Sequence, residues 1–273
     1  MIRGLQTAAA GMIANQQRHD AVTHDIANLH TPGYKQQQAI FRTFPDFLLA
    51  VQMRSERNPL PQAERVIGSL AQGVYVDEVL PAFRQGDLEI TRSPFDFALM
   101  DSASTVNETG RVPLTFFQVQ TADGSTAYTR NGQFTQDAAG FWVTPMGRYV
   151  LDDGGNPIRT ERPFYVDATG AITYEGEEEP LPFRLGVVRV EDPNRLISIG
   201  NGLFRIDEAN PPLPAPPGEG WVVQQRRLER ANVDPASAVV EMMMAQRAYE
   251  ANQRVVQAYD RTLDKAVNEL ARI

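Results

Sequence analysis

The chain has 273 residues, of which 42% are hydrophobic and 22% charged, proportions typical of a folded protein with a sizeable core. The formal net charge is −8 and the sequence holds no basic stripe, which argues against a nucleic-acid partner. The lack of cysteine excludes disulfides, thiol catalysis and cysteine metal sites, and no apolar run approaches the roughly 18 residues that span a membrane.

Residues 1–30 are predicted to form one long helix. Two rows of residues repeat every seven positions along it, as in a coiled coil: Leu5, Met12, His19 and Ile26, and Ala8, Asn15, Val22 and Leu29. The pattern stops at Pro32 and Gly33, because proline disfavours helix at the residue before it and glycine permits a turn. The N-terminus is too polar for a secretory signal peptide, so we expect no cleaved leader.

The middle of the chain is predicted to be β-structure. Alternating residues between turn signals predict strands at GVYVDEVL (73–80), TFFQVQ (115–120) and FRLGVVRV (183–190). Asn131-Gly132 predicts a hairpin turn, and the sequences DAAG (137–140) and DATG (167–170) predict turns closed by glycine. The proline-rich stretch near 208–220 predicts an irregular loop.

Residues 235–272 are predicted to form a second, longer helix, which starts with an N-cap acceptor and a proline at Asp234-Pro235. Its apolar residues fall into two rows: Val240, Met244, Ala248, Ala251, Val255, Tyr259, Leu263, Ala266 and Leu270, and Val239, Met243, Val256 and Val267. Because this face is wider than a two-stranded seam requires, we expect contacts with more than one helix. We also expect this helix to be the better packed of the two.

These elements predict an α+β fold in which paired, coiled-coil-like N- and C-terminal helices flank a β-rich middle domain. Residues 1–34 and 232–273 are assigned to a helical assembly domain, and residues 35–231 to the middle domain. The predicted helix interface consists of Leu5, Met12, Val22, Ile26, Asn28, Val240, Met243, Met244, Ala248, Ala251, Asn252, Val255 and Leu263. Asn252 and Arg247 are polar interruptions of the kind that set register in a helical bundle.

Several motifs, in this order, resemble the flagellar axial proteins of the rod and hook branch. The first is Ile26-Ala27-Asn28, followed by a motif turn that contains Thr31, Gly33, Tyr34 and Lys35. The next are FRQGDL (83–88), YTRNGQF (128–134) and GFWVT (140–144), and the last are ANVD (231–234) and MAQRAYEAN (244–252). The resemblance spans most of the chain. YTRNGQF is most similar to the distal-rod type of the family. The short rod subunits of Gram-positive bacteria are one variant of that type that the chain resembles.

The resemblance implies a structural subunit of the bacterial flagellar basal-body rod, which polymerises through its terminal helices into the axial drive shaft. It implies three partners, namely copies of the chain, other rod and hook proteins, and the flagellar export apparatus. The implied location is the basal body, reached without a cleaved signal peptide. The alternative is a secreted β-domain protein with a helical stalk that binds a partner without polymerising.

Residues capable of chemistry give little support to an enzyme. The spacings of five and six between His19, His24 and His30 do not align successive histidines on one helical face as metal ligands would be, and no carboxylate cluster completes a set. There is no G-x-S-x-G motif, and Gly200-Asn201-Gly202 predicts a β-turn rather than a dinucleotide site. We therefore expect no catalytic residues, no metal, no cofactor and no small-molecule substrate.

Overall fold

The structure is a computed structural model that describes residues 2–43, 47–51, 65–70, 73–101, 113–206, 212–216 and 220–270. Helix α1 spans Ile2–Ala27 and helix α2 spans Pro235–Leu270, which confirms the two predicted terminal helices. With strands filling the middle of the chain, the α+β class is confirmed as well. After α1 the backbone turns ahead of Pro32, and the N–H of Thr31 donates to the carbonyl of Asn28 at 3.0 Å.

The chain forms two compact units, and each combines segments that are far apart in sequence. The first comprises Met1–Ile26, Gln37–Leu80 and Asp234–Ile273, and the second comprises Ala27–Gln36 and Pro81–Val233. The functional division into an assembly domain (1–34 and 232–273) and a middle domain (35–231) stays a prediction.

The first unit holds both helices and two small β-ladders. Strand β1 (Gln37–Thr43) pairs with β4 (Val74–Pro81), and β2 (Phe47–Val51) pairs antiparallel with β3 (Arg65–Leu70). A hydrogen bond joins helix α1 to the β1–β4 ladder: the N–H of Gln37 donates to Asp25 Oδ1 at 2.9 Å. The guanidinium carbon of Arg18 also lies 6.0 Å from the centre of the Phe41 ring.

The second unit is built on a six-stranded antiparallel sheet. Its strands, in spatial order, are β14 (Ile197–Gly200), β15 (Leu203–Arg205), β8 (Thr126–Thr129), β7 (Leu114–Gln120), β13 (Val187–Val190) and β16 (Leu213–Pro214). Four antiparallel ladders accompany it: β5 (Leu88–Ile90) with β18 (Arg227–Glu229), β6 (Phe97–Asp101) with β17 (Trp221–Gln225), β9 (Thr135–Gln136) with β10 (Trp142–Val143), and β11 (Phe164–Val166) with β12 (Ile172–Tyr174). A short 3-10 turn spans Pro193–Arg195.

Alternation along β7 explains why both faces of this sheet are covered. Phe116 and Phe117 are neighbours in sequence and both fully buried, yet they belong to different apolar clusters. This follows because successive side chains of a strand point to opposite faces. Phe117 shares its cluster with Trp142, whose indole N–H donates to Thr160 Oγ1 at 2.8 Å. The buried indole therefore keeps a hydrogen-bond partner inside the core.

The predicted glycine-closed turns are confirmed. The N–H of Gly140 donates to the carbonyl of Asp137 at 3.1 Å, and the N–H of Gly170 donates to the carbonyl of Asp167 at the same distance. Both glycines have positive φ, near 88° and 82°, a conformation that glycine adopts with little strain. The turn predicted at Gly200-Asn201-Gly202 is also present, between β14 and β15.

The hairpin predicted at Asn131-Gly132 is wrong. Strand β8 pairs with β7 and β15, and β9 pairs with β10, so the strands on either side of Asn131-Gly132 do not pair with each other. Gly132 is needed for a different reason, since a Cβ there would collide with the carbonyl of Phe97. Within the proline-rich stretch near 208–220, the structure describes only residues 212–216 and 220, and β16 lies in the first of these segments. The rest of the predicted loop falls outside the described residues.

Candidate assembly site

The two helices lie antiparallel and approach closely within the first unit. A Cβ at Gly4 would collide with the ring of Tyr259, and a Cβ at Gly11 would lie 2.8 Å from Asn252 Nδ2. Moving seven residues forward on α1 thus moves the contact seven residues back on α2, which is the repeat of a coiled-coil seam. Farther along α1, Arg18 and Glu241 form a half-exposed ion pair at 3.7 Å.

Helix α1 is the better covered of the two helices. Within the described residues it buries Ala8, Ala14, Ala21, Val22 and Asp25, whereas α2 buries only Ala238 and Ala245. The expectation that α2 would be better packed is therefore wrong for the single chain. The reason is that α1 contacts both α2 and the β1–β4 ladder, whereas α2 contacts α1 along one face and its other faces are exposed.

The residues predicted to form the helix interface divide into three groups. Those that are partly or fully buried are Leu5, Met12, Val22, Ile26, Ala248, Asn252 and Leu263. Those that are exposed are Val240, Met243, Met244, Ala251 and Val255. Asn28 lies past the end of α1, in the second unit, where its Oδ1 accepts a hydrogen bond from Thr31 Oγ1 at 3.1 Å.

Four charged side chains meet in the second unit, and we call Lys35, Asp101, Arg130 and Glu229 the junction cluster. Lys35 Nζ lies 2.6 Å from Glu229 Oε1, and Arg130 Nε lies 2.7 Å from Glu229 Oε2. The other side of the guanidinium faces Asp101 Oδ2 at 2.7 Å. The four side chains are 4%, 8%, 2% and 1% exposed, in sequence order. The cluster therefore consists of two positive and two negative side chains that are almost completely buried.

The ion pairs favour the charged forms of Glu229 and Arg130. Burial alone would raise the pKa of Glu229, but Arg130 and Lys35 pull it below the ordinary glutamate value. Burial would lower the pKa of Arg130, but Asp101 and Glu229 raise it. For Lys35 burial outweighs the attraction of Glu229, so its pKa is lowered. The cluster is thus neutral only as a whole.

Backbone groups complete the junction cluster. Arg130 donates from Nη1 to the carbonyl of Thr115 at 2.6 Å and from Nη2 to the carbonyl of Leu99 at 2.8 Å. Lys35 Nζ donates to the carbonyl of Arg84 at 2.8 Å, and the N–H of Gly86 donates to Glu229 Oε1 at 2.9 Å. The N–H and Oγ1 of Thr115 donate to Asp101 Oδ1 at 3.2 and 2.6 Å. Each of the four charged groups therefore has a hydrogen-bond partner besides its ion pairs, as buried charges require.

The motif turn lies directly against this cluster. Gly33 has a φ of 70°, and a Cβ there would lie 2.6 Å from the carbonyl oxygen of Arg130. Its N–H donates to the carbonyl of Glu229 at 2.7 Å, and the carbonyl of Tyr34 accepts from the N–H of Asn232 at 3.3 Å. The segment that follows α1 therefore runs beside the segment that precedes α2.

Comparison with known proteins shows which family the chain resembles. Three family models match the chain: "Flagella basal body rod protein" at residues 5–35, "Flagellar hook protein FlgE/F/G D1 domain" at 114–176, and "Flagellar basal body rod FlgEFG protein C-terminal" at 224–269. Among curated proteins, the flagellar hook-basal body complex protein FlhO of Bacillus subtilis is 36% identical over 277 residues and covers 100% of both chains.

The flagellar basal-body rod protein FlgG of Caulobacter vibrioides is 30% identical over 275 residues, with 96% of this chain and 97% of that protein covered. The chain belongs to the flagellar basal-body rod protein family. It is a structural, distal-rod-type protein of the flagellum. The FlgG of Bacillus subtilis is also similar, at 26% identity over 284 residues and 98% of this chain.

Each matched region of this rod-family chain supplies one member of the junction cluster. Lys35 is the last residue of the first region, Arg130 lies in the second and Glu229 lies in the third. The fourth member, Asp101, lies outside all three. The parts of the chain that carry the family likeness therefore meet at one buried site.

Sequence reasoning assigned Lys35 to the motif turn but missed Arg130, Asp101 and Glu229. The available signal was a charged residue at or just after the end of a strand, as Asp101 ends FALMD and Arg130 follows TAYT. That signal is weak, since most such residues are exposed. Only the fold shows that these charges converge.

The described residues give no sign of a metal-binding cluster or of a membrane-spanning helix. Within the described ranges, no three His, Asp or Glu side chains lie together in a way that suits a metal ion. No described helix is both long and apolar enough to cross a membrane.

Proposed function

We propose that this rod-family subunit polymerises through α1 and α2, with copies of itself and with other rod and hook proteins, into the axial drive shaft of the basal body. Its role is mechanical, with no catalysis, cofactor, nucleic acid or small-molecule substrate. We further propose that it reaches the basal body through the flagellar export apparatus without loss of a signal peptide. The relatives named for the hook and basal body support this assignment.

The observation that carries the proposal is an exposed apolar row on α2. Val240, Met244 and Val255 are 44%, 58% and 43% exposed, and the exposed Ala251 lies between them. At 3.6 residues per turn the centre of this row lies roughly 100° around the helix from the seam residues Ala245 and Asn252. The row therefore lies beside the α1 seam rather than within it, and a contiguous apolar surface of this kind marks a site of association.

The length of α2 supports the same proposal. A 36-residue helix exceeds the 26 residues of α1, so the intramolecular seam leaves part of α2 without a helical partner. A long amphipathic helix gains most of its stability from burying its apolar face. In an assembly, neighbouring subunits would supply that burial.

The experiment is a substitution pair on α2 in a strain that lacks the native gene. Met244→Asp with Val255→Asp places charges in the apolar row, and Gln257→Asp is a control on an exposed polar face of the same helix. We expect the double variant to abolish motility and to leave basal bodies without a complete rod, while the control restores both. Because the substituted residues are exposed, the melting temperature of the purified double variant should stay close to that of the wild type.

A non-polymerising protein with a helical stalk gives the opposite result. In that case the double variant would leave basal bodies complete, and the chain would be absent from purified rods. Either outcome contradicts the proposed function.

A further inference from the structure

Glu229 joins two segments that lie at opposite ends of the chain. Its Oε1 accepts from Lys35 Nζ and from the N–H of Gly86, and its Oε2 accepts from Arg130 Nε. Lys35 belongs to the segment that follows α1, whereas Glu229 belongs to the segment that precedes α2. The carboxylate of the junction before α2 thus binds the lysine of the junction after α1.

The two segments are also joined through their backbones. Gly33 donates to the carbonyl of Glu229, and Asn232 donates to the carbonyl of Tyr34. In return, the N–H of Gln36 donates to Asn232 Oδ1 at 2.7 Å. The segments 33–36 and 229–232 therefore satisfy each other's polar groups within the second unit.

Charge balance makes partial docking unfavourable. With all four members in place, the junction cluster has no net charge. If Lys35 leaves, one buried negative charge is uncompensated, and if Glu229 leaves, one positive charge is uncompensated. A buried charge that loses its partner is strongly destabilised, far more than an exposed one.

We propose that the junction cluster is a coupling device that makes the segments 33–36 and 229–232 dock together or not at all. A subunit then closes the junction after α1 only when the junction before α2 closes as well. In thermodynamic terms, docking of each segment raises the stability of the other by the same factor, because such coupling is reciprocal.

The test is hydrogen–deuterium exchange, read by mass spectrometry, on the full-length isolated subunit. Lys35→Met should increase exchange of residues 229–232, and Glu229→Gln should increase exchange of residues 33–36, each by roughly 100-fold or more. The combined variant removes one charge of each sign and leaves the Arg130–Asp101 pair neutral. We therefore expect its exchange to rise much less than the product of the two single effects.

Two further variants distinguish undocking of the two segments from unfolding of the whole protein. Asn232→Ala removes side-chain hydrogen bonds without a change in charge, and it should increase exchange in both segments. Arg162→Met removes the exposed ion pair with Glu177, at 2.7 Å, and should leave both segments protected. Independent docking would contradict the proposal: Lys35→Met would then release 33–36 alone, and the two single effects would multiply. Since the measurement uses isolated subunits, failure of the polymerisation proposal would leave this result unaffected.

Discussion

Arg130 Nε and Glu229 Oε2 lie 2.7 Å apart, although 99 positions separate the two residues in the chain. Both side chains are almost completely buried, and Lys35 binds the other oxygen of the same carboxylate. The three residues come from three different regions that match flagellar rod and hook families. This meeting point gives the family likeness a physical basis, because each region needs the others to keep its charge compensated.

Removal of Arg130 should therefore be costly. We expect Arg130→Met to lower the free energy of unfolding by ~3–5 kcal/mol, since it leaves Asp101 and Glu229 to share the single positive charge of Lys35. Arg162→Met is the matched control, because it breaks an exposed pair and should change stability by less than ~1 kcal/mol. Urea denaturation of both variants checks the difference. Equal effects of the two substitutions would contradict the structural role given to Arg130.

The junction cluster should also contribute to acid sensitivity. Burial would raise the pKa of Glu229, but Arg130 and Lys35 hold it below the ordinary value of 4.5. Above that value the carboxylate is ionised in both the folded and the unfolded chain, and its full stabilisation is present. As pH falls below 4.5 and through the lowered pKa of the folded state, protonation removes that stabilisation.

The measurement is the unfolding free energy of the wild type and of Glu229→Gln from about pH 6 down to about pH 3. The variant is less stable at neutral pH, and we expect the two curves to converge as the solution becomes acidic. Other carboxylates titrate in both proteins, so the difference between the curves reports Glu229. Parallel curves across the whole range would show that its ionisation contributes nothing.

Sequence patterns predicted the two helices and several strands, among them β4, β7 and β13, because these depend on residues close together in the chain. The seven-residue repeat located α1, and the apolar rows after Asp234-Pro235 located α2. The Asp-x-x-Gly turns were predicted correctly at 137–140 and 167–170. The failure at Asn131-Gly132 has a tertiary cause. There, Gly132 makes room for the carbonyl of Phe97, which no local signal reveals.

Periodicity could not decide which row of α2 contacts α1. The row that contains Val240 and Met244 is the more apolar, yet the intramolecular seam runs through Ala245 and Asn252. The glycines of α1 select the seam, because the missing side chains of Gly4 and Gly11 make room for Tyr259 and Asn252. The junction cluster was out of reach for a similar reason, because Lys35 and Glu229 are 194 positions apart.

Gly33 should tolerate no side chain. Its positive φ and its contact with the Arg130 backbone both disfavour alanine, whereas Gly124, at φ 78°, has open space around it. We expect Gly124→Ala to cost about 1 kcal/mol from backbone strain alone. Gly33→Ala should cost ~1–3 kcal/mol more, because the methyl group must also displace packed backbone. Thermal unfolding of the two variants compares them, and similar melting temperatures would argue against tight packing at Gly33.

The start of α2 should depend on the side chain of Asp234. Its Oδ2 accepts from Ser237 Oγ at 2.6 Å and from the N–H of Ser237 at 3.2 Å, an N-cap arrangement. These hydrogen bonds from Ser237 lower the pKa of Asp234. We expect Asp234→Ala to increase hydrogen exchange in the first turn of α2, while Asp234→Asn retains an acceptor and changes it less. Equal exchange in the two variants would argue against the cap.

Polymerisation through α2 is tested most directly by photo-cross-linking in assembled flagella. A photoreactive amino acid substituted for Met244 lies in the exposed apolar row, and the same substitution for Gln257 provides the control on a polar face. After irradiation of purified basal bodies, we expect the Met244 variant to give products that contain two or more copies of the chain, or the chain joined to another rod protein. Rods that contain the variant but yield only uncross-linked chain would contradict the account.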